Sequence, residues 1–248
     1  MDILEQIGKI GIIPVVVIDD EKDAVPLAKA LIEGGLPAAE VTFRTAAAEG
    51  AIRAIKEAYP EMLVGAGTVL TDEQADRAIA AGASFIVSPG LNPAHVEYVL
   101  SKGVPMVPGV VTPSEIEQGL ALGLTTLKFF PAEPSGGLAM IKALTAAYVN
   151  LKIMPTGGIN AKNAEEYLKD PHIRAVGGSW MVKKDLIKAG AFDEIKAMTE
   201  EAAALVNAIR PKFAVPTHYN DIVGTAGDGA RFIRLLDEGI TGIEKIGK

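Results

Sequence analysis

The chain predicts an α/β fold, a (β/α)8 TIM barrel with a short N-terminal helix and a C-terminal extension. Two observations carry the prediction. Eight short β-branched runs alternate with eight alanine-rich amphipathic segments over about 210 residues. Helix-capping residues and glycines stand at the seams between them. A third observation counts against the runner-up, a doubly wound open sheet, because no Gly-x-Gly-x-x-Gly opens the first helix. Gly65-Ala66-Gly67-Thr68 holds only half of such a pattern and lies on the third unit.

The units follow in order. Residues 3–9 read as a short helix covering the barrel bottom. The isoleucine- and valine-rich run 10–18 is the first strand, and 23–33 the first helix of the ring, stopped at Gly34. Strand 39–45 leads to helix 46–59. Strand 63–69 leads to helix 72–81, capped by Thr71 and stopped by Gly82. Strand 84–88 precedes helix 93–102, with Asn92 as its cap and Gly103 as its stop. Strand 105–110 precedes helix 113–122. There Thr112, Pro113 and Glu115 stand at capping-box spacing, with Gly123 at the far end. Strand 125–130 and helix 137–148, strand 152–156 and helix 161–168 behind Asn160, and strand 173–177 and helix 191–209 complete the series. The barrel occupies residues 1–210, and residues 211–248 form an extension of unassigned role. Within it 228–238 has the pattern of a short amphipathic helix.

Composition narrows the function. With 49% hydrophobic and 22% charged residues, the chain can bury a substantial core. A formal net charge of −7 argues against a broadly basic nucleic-acid surface. The absence of cysteine rules out disulfides and cysteine-based zinc or iron–sulfur sites. Met1 to Glu5 lacks the basic start of a secretory signal, and the apolar run 10–18 is broken by Gly11 and Pro14 and too short to span a bilayer. A soluble, cytoplasmic protein with no nucleic-acid or membrane partner is the resulting expectation. His95, His172 and His218 lie far apart without metal-ligand spacing and read as surface residues, so no metal is expected. Trp180 reads as packing just past a strand end.

In a barrel of this class, function sits at the carboxyl ends of the strands. Lys128 lies inside the apolar stretch Thr126-Leu127-Lys128-Phe129-Phe130-Pro131-Ala132. Desolvation penalises an ammonium, and a neutral amine is a nucleophile able to form a Schiff base with a carbonyl. The alternative is a lysine whose stem packs while its head reaches water. Alternation puts Glu40, Thr42 and Arg44 on one face of the second strand, with Glu40 deeper and Arg44 about 13 Å further along. Glu40 and Lys128 stand at similar depth on well-separated strands and can meet across the lumen as a proton-transfer pair. Rim residues with ordinary ion-pair partners are the other reading of Glu40 and Arg44. Thr126 and Phe130 share the face of Lys128. Gly157-Gly158 and Gly177-Gly178-Ser179 follow strands seven and eight, the usual phosphate location in such barrels, where glycine lets backbone N–H groups approach an anion. Tight corners alone are the simpler reading. Ser88-Pro89-Gly90 and Pro108-Gly109 shape the pocket or only turn the chain.

Taken together, these segments resemble the 2-keto-3-deoxy-6-phosphogluconate (KDPG) / 4-hydroxy-2-oxoglutarate (KHG) aldolase family of lysine-dependent, class I aldolases. The resemblance runs from about residue 5 to about residue 208. It rests on Glu40-Val41-Thr42-Phe43-Arg44-Thr45, Gly65-Ala66-Gly67-Thr68-Val69-Leu70, Ser88-Pro89-Gly90, Lys128-Phe129-Phe130-Pro131-Ala132-Glu133, Pro155-Thr156-Gly157-Gly158-Ile159 and Gly177-Gly178-Ser179-Trp180.

The resemblance implies Lys128 as the Schiff-base lysine and Glu40 as general acid/base. Arg44 and Thr68 would hold the substrate carboxylate. Thr156, Phe130 and Pro89 would contact the substrate, and Gly157, Gly158, Gly178 and Ser179 would receive its phosphate. It further implies a homotrimer without metal or organic cofactor, acting in Entner–Doudoroff carbohydrate metabolism. The implied reaction cleaves KDPG to pyruvate and glyceraldehyde 3-phosphate, with KHG, giving pyruvate and glyoxylate, as a second substrate. Competing expectations are the phosphogalactonate analogue as substrate, a phosphate-binding barrel isomerase or decarboxylase without a covalent intermediate, and a non-catalytic sugar-phosphate binder. Two departures stand out: Phe43, where the family more often has leucine, and the tail beyond Arg210.

Overall fold

A computed structural model describes residues 2–209, 213–214 and 241–242. Helix α1 (Ile3–Ile10) leads into β1 (Ile12–Val16). The pairs α2 (Ala24–Glu33) and β2 (Ala38–Thr42), α3 (Ala48–Ala58) and β3 (Leu63–Gly67), α4 (Asp72–Ala80) and β4 (Phe85–Ser88), and α5 (Pro93–Ser101) and β5 (Met106–Val110) follow. Then come α6 (Pro113–Ala121), β6 (Thr126–Phe129), α7 (Gly137–Thr145), β7 (Lys152–Pro155), α8 (Ala164–Leu168), β8 (Val176–Gly178), α9 (Lys184–Lys188) and α10 (Phe192–Ile209).

The eight strands are parallel, in the order β7-β6-β5-β4-β3-β2-β1-β8. Parallel bridges Ile153↔Ile173 and Thr156↔Gly177 join the two ends and close the (β/α)8 barrel. Residues of nearly every strand are buried, as expected for a parallel sheet covered on both sides. Ile13, Ala38, Leu63, Phe85, Val87, Val107, Met154 and Ala175 fill the interior together with Ile7 of α1, against which Ile3, Leu4 and Ile10 pack. The amino-terminal helix therefore packs on the barrel interior and covers its bottom, as expected of residues 3–9. Gly65 leaves room for the Phe85 ring, since a Cβ there would lie 2.3 Å from it.

Several boundaries move for local reasons. The first strand starts at Ile12 rather than residue 10 because α1 runs through Ile10 and is stopped by Gly11 at φ 76°. At the end of α2 the left-handed residue is Gly35, not Gly34. Gly34 is small for another reason, because a Cβ there would lie 2.6 Å from the Thr199 Cβ of α10. Thr71 and Thr112 cap their helices as expected, whereas Asn92 makes no side-chain cap bond. Asn160 caps no helix: α8 starts at Ala164, and Asn160 instead bonds within the loop before it. The eighth strand begins only at Val176, and helix α9 precedes α10, a turn that the periodicity did not mark.

The chain divides into two compact units, Met1–Leu205 and Val206–Lys248. In the second, β9 (Phe213–Ala214) pairs in parallel with β10 (Thr241–Gly242). The helix expected at 228–238 lies outside the described residues. No helix among the described residues is long and apolar enough to cross a membrane.

Candidate active site

Glu40 sits in the middle of β2, in register with Val15 of β1 and Gly65 of β3, and is 0% exposed. Lys128 sits on β6 between Gly109 of β5 and Met154 of β7 and is 5% exposed. Their side chains meet across the lumen, with Lys128 Nζ 3.3 Å from Glu40 Oε1. A buried ion pair of this kind gains Coulomb energy only against a large desolvation cost, so its presence points to use more than to stability. Phe130 lies beside it, its ring centroid 5.0 Å from Lys128 Nζ.

The space for this pair is made by glycine. A Cβ on Gly67 would lie 2.2 Å from Glu40 Oε1, so the residue two positions after Gly65 on β3 has to be bare. Glycine has a like role on β8, where a Cβ on Gly177 would lie 2.3 Å from Thr156 Oγ1. Glu40 Oε2 and Thr156 Oγ1 are both buried and take no hydrogen bond from the protein. Orphaned buried polar atoms cost about 1–3 kcal/mol each, so two of them in the same barrel as the buried Lys128 make this a candidate ligand site.

Arg44 lies beyond the end of β2, exposed at the mouth, and donates from Nε to Thr68 Oγ1 at 3.2 Å. Thr68 follows β3 at φ 57°, a left-handed conformation that no other non-glycine residue adopts among those described. For a β-branched residue this costs on the order of 1–3 kcal/mol, and such strain concentrates where a side chain must be aimed. Thr42, which shares the alternation of Glu40, commits its hydroxyl to the Val16 carbonyl at 2.9 Å. Pro89 is packed against the neighbour of Lys128: a Cβ on Gly109 would lie 2.0 Å from the Pro89 carbonyl oxygen, and the Ser88 hydroxyl braces the turn on Gly90 O at 2.7 Å.

At the ends of β7 and β8, the Thr156↔Gly177 bridge sets the two glycine segments side by side. Gly157 (φ 99°) and Gly158 (φ 87°) take conformations open to glycine at little cost. The Trp180 ring packs on Gly178, where a Cβ would lie 1.9 Å from it, and Ser179 is exposed between them. The structure thus brings together Glu40 with Lys128 and Phe130 inside the barrel, and Arg44 with Thr68 and Thr156 with the glycine segments at or beyond the carboxyl ends of their strands.

Some residues escaped the sequence. Gly67 and Gly177 stood inside noted motifs, yet nothing local tells which side chain needs their missing Cβ. Glu133 was part of a quoted segment without a role, and its carboxylate accepts the hydroxyl of Tyr167, a partner 34 residues away. His95, expected at the surface, is 5% exposed in α5 with Nδ1 2.6 Å from Asp72 Oδ1, because its helical position faces α4. His172 is half-buried near Asp170, and His218 lies outside the described residues.

Comparison with known proteins adds three likenesses and a family. Residues 3–198 match the model of the family described as KDPG and KHG aldolase. A 2-dehydro-3-deoxy-phosphogluconate aldolase of Treponema pallidum (strain Nichols) is 48% identical over 204 residues, spanning 82% of this chain and 97% of that protein. The KDPG aldolase of Legionella pneumophila, with pyruvate captured at low pH as a covalent carbinolamine intermediate, superposes with a TM-score of 0.77. It is 40% identical and covers 79% of this chain and 96% of that one. The Zymomonas mobilis ZM4 2-keto-3-deoxy-6-phosphogluconate aldolase with 3-phosphoglycerate has a TM-score of 0.76 and 39% identity, covering 82% and 95%.

Proposed function

Because the chain belongs to the KDPG and KHG aldolase family, we propose that it is a class I aldolase that cleaves KDPG to pyruvate and glyceraldehyde 3-phosphate, with KHG as a second substrate. The single observation that carries the reading is the buried Lys128–Glu40 pair, 3.3 Å apart, with the second Glu40 oxygen unpartnered.

The steps follow from that pair. Glu40 takes a proton from Lys128, whose free amine attacks the C2 carbonyl carbon. The carbonyl oxygen is protonated to give a carbinolamine. Loss of that hydroxyl as water leaves a protonated imine, which draws electrons from the neighbouring bonds. Removal of the C4 hydroxyl proton then expels the aldehyde. The C3–C4 bond breaks, its electron pair forms the C2=C3 double bond of an enamine, and the C2=N π pair moves onto nitrogen, neutralising its charge. Protonation at C3 and hydrolysis release pyruvate and restore Lys128. Glu40 stands within reach of Nζ for each of the early transfers, and its free oxygen leaves a place for a bridging water. Arg44, aided by Thr68, fixes the carboxylate, which sets the carbonyl beside Lys128. Thr156, whose buried hydroxyl has no protein partner, is assigned to support the substrate and the proton transfers, with Phe130 and Pro89 walling the substrate. Gly157, Gly158, Gly178 and Ser179 take the distal phosphate. No metal or organic cofactor enters this scheme. By the same family reasoning we assign a homotrimer working in the cytoplasm, to be checked by light scattering and by fractionation.

Sodium borohydride added with pyruvate is expected to leave a reduced adduct on Lys128, located by peptide mass spectrometry, and Lys128→Met is expected to abolish both adduct and turnover. Turnover without an adduct would favour an isomerase or decarboxylase in which Lys128 acts only as a charge. Ligand-induced stabilisation without turnover would favour a binding protein. Comparing kcat/KM for KDPG, its galactonate analogue and KHG decides which aldehyde the pocket prefers.

A further inference from the structure

Behind the glycine loop after β7 stands a polar buckle that the aldol steps do not use. Tyr167 of α8 is 2% exposed, and its hydroxyl donates to Glu133 Oε1 while the Leu138 N–H reaches that same hydroxyl. Burial first, and then the adjacent carboxylate, raises this phenol well above the ordinary tyrosine range, so it stays a donor around neutral pH. Glu133 is tied to the loop through its backbone: its N–H donates to Gly157 O at 3.0 Å, and the Ala132 N–H to Thr156 O at 2.8 Å. Its side chain lies over Gly158, where a Cβ would come within 2.5 Å of Glu133 Cγ. From the other side, Asn160 and Asn163 hold the Gly158 carbonyl through their side-chain amides at 3.0 and 3.2 Å. The loop is clamped between the exit of β6 and the start of α8.

A carboxylate in this place is otherwise a liability. Glu133 is exposed at the rim beside the loop assigned to a phosphate, where an unheld negative charge repels the dianion and competes for its N–H donors. We propose that Tyr167 and Glu133 are positioning residues for substrate specificity: the Tyr167 hydroxyl draws the Glu133 carboxylate back from the Gly157–Gly158 backbone, and this favours a phosphorylated keto acid over an unphosphorylated one. The inference rests on the phosphate role proposed for that loop.

The test is kcat and KM for KDPG and for KHG in the wild type and in three variants. Tyr167→Phe removes the donor, and Glu133→Asp withdraws the carboxylate from its reach while keeping the charge. Each is expected to lower kcat/KM for KDPG about tenfold, mainly through KM, as the loss of one hydrogen bond to a charged group would. For KHG the change is expected to stay within about twofold, with the pyruvate–borohydride adduct on Lys128 undiminished. Glu133→Gln keeps an acceptor for Tyr167 without the charge and is expected to retain the preference for KDPG. Equal losses on both acids, or a KDPG/KHG ratio unchanged in both Tyr167→Phe and Glu133→Asp, overturn the proposal. A wild type that forms the adduct yet shows no preference for KDPG overturns the phosphate reading itself, before any variant is compared.

Discussion

Lys128 is buried, as its apolar neighbours Leu127 and Phe129 foretold, and the polar group that meets it inside the barrel is the carboxylate of Glu40. Glu40 is close enough to exchange a proton yet offers only one oxygen to the amine, leaving the other bare. That geometry depends on Gly67. In Gly67→Ala the added Cβ would overlap Glu40 Oε1 and Cγ, forcing the carboxylate off Lys128. The expected outcome is a fall in kcat of at least about 100-fold, the usual worth of a positioned acid/base, with a modest loss of stability. Steady-state kinetics beside a melting curve checks it, and a normal kcat would remove Glu40 from the mechanism. The side chains proposed to carry the chemistry could be picked out because residue type declares what a group can do. The bare positions were not, since a missing Cβ has meaning only against the atom that would strike it.

Among the elements, α6 shows how far local sequence reaches. Thr112, Pro113 and Glu115 predicted a capping box, and the box is present: Thr112 Oγ1 accepts from the Glu115 N–H, while Glu115 Oε2 accepts from the N–H groups of Val111 and Thr112. Burial works to raise the Glu115 carboxyl, but these hydrogen bonds outweigh it and hold the group below its ordinary value of 4.5. A depressed folded-state value stabilises the fold above the unfolded value, and the contribution is lost as pH falls through the folded one. Thr112→Ala is expected to cost about 1 kcal/mol in urea unfolding at neutral pH. Glu115→Gln is expected to flatten this part of the stability loss below pH 4.5. An unchanged acid limb would deny the cap its role. Elsewhere local reading stopped short. Asn160 looks like a cap, and only the path of the following loop turns it, with Asn163, into a brace for Gly158.

At the scale of the whole molecule, the barrel separates an end plugged by α1 from the end proposed to carry the chemistry. Arg174, just before β8, donates to Thr126 Oγ1 at the start of β6 at 2.8 Å and to the Leu4 carbonyl of α1 at 3.1 Å. It ties the amino-terminal plug to the strand that bears Lys128, on the side away from the chemistry. Arg174→Met keeps the apolar stem and loses both donors. The expected result is a loss of stability on the order of 2–3 kcal/mol, seen as a lowered melting temperature, with kcat at 25 °C within about twofold of the wild type. A collapse of kcat without loss of stability would contradict this division of labour. The sequence by itself determined the eight βα units, the lysine in its apolar strand and the glycines after the last two strands, because periodicity, capping and residue chemistry act within a few residues. Only the tertiary structure decided that Glu40 and Lys128, 88 residues apart, stand 3.3 Å from each other, that Thr68 is strained toward Arg44, and that Tyr167 closes on Glu133. Those contacts depend on the shared register of eight strands and on closure of the ring, which no single segment specifies.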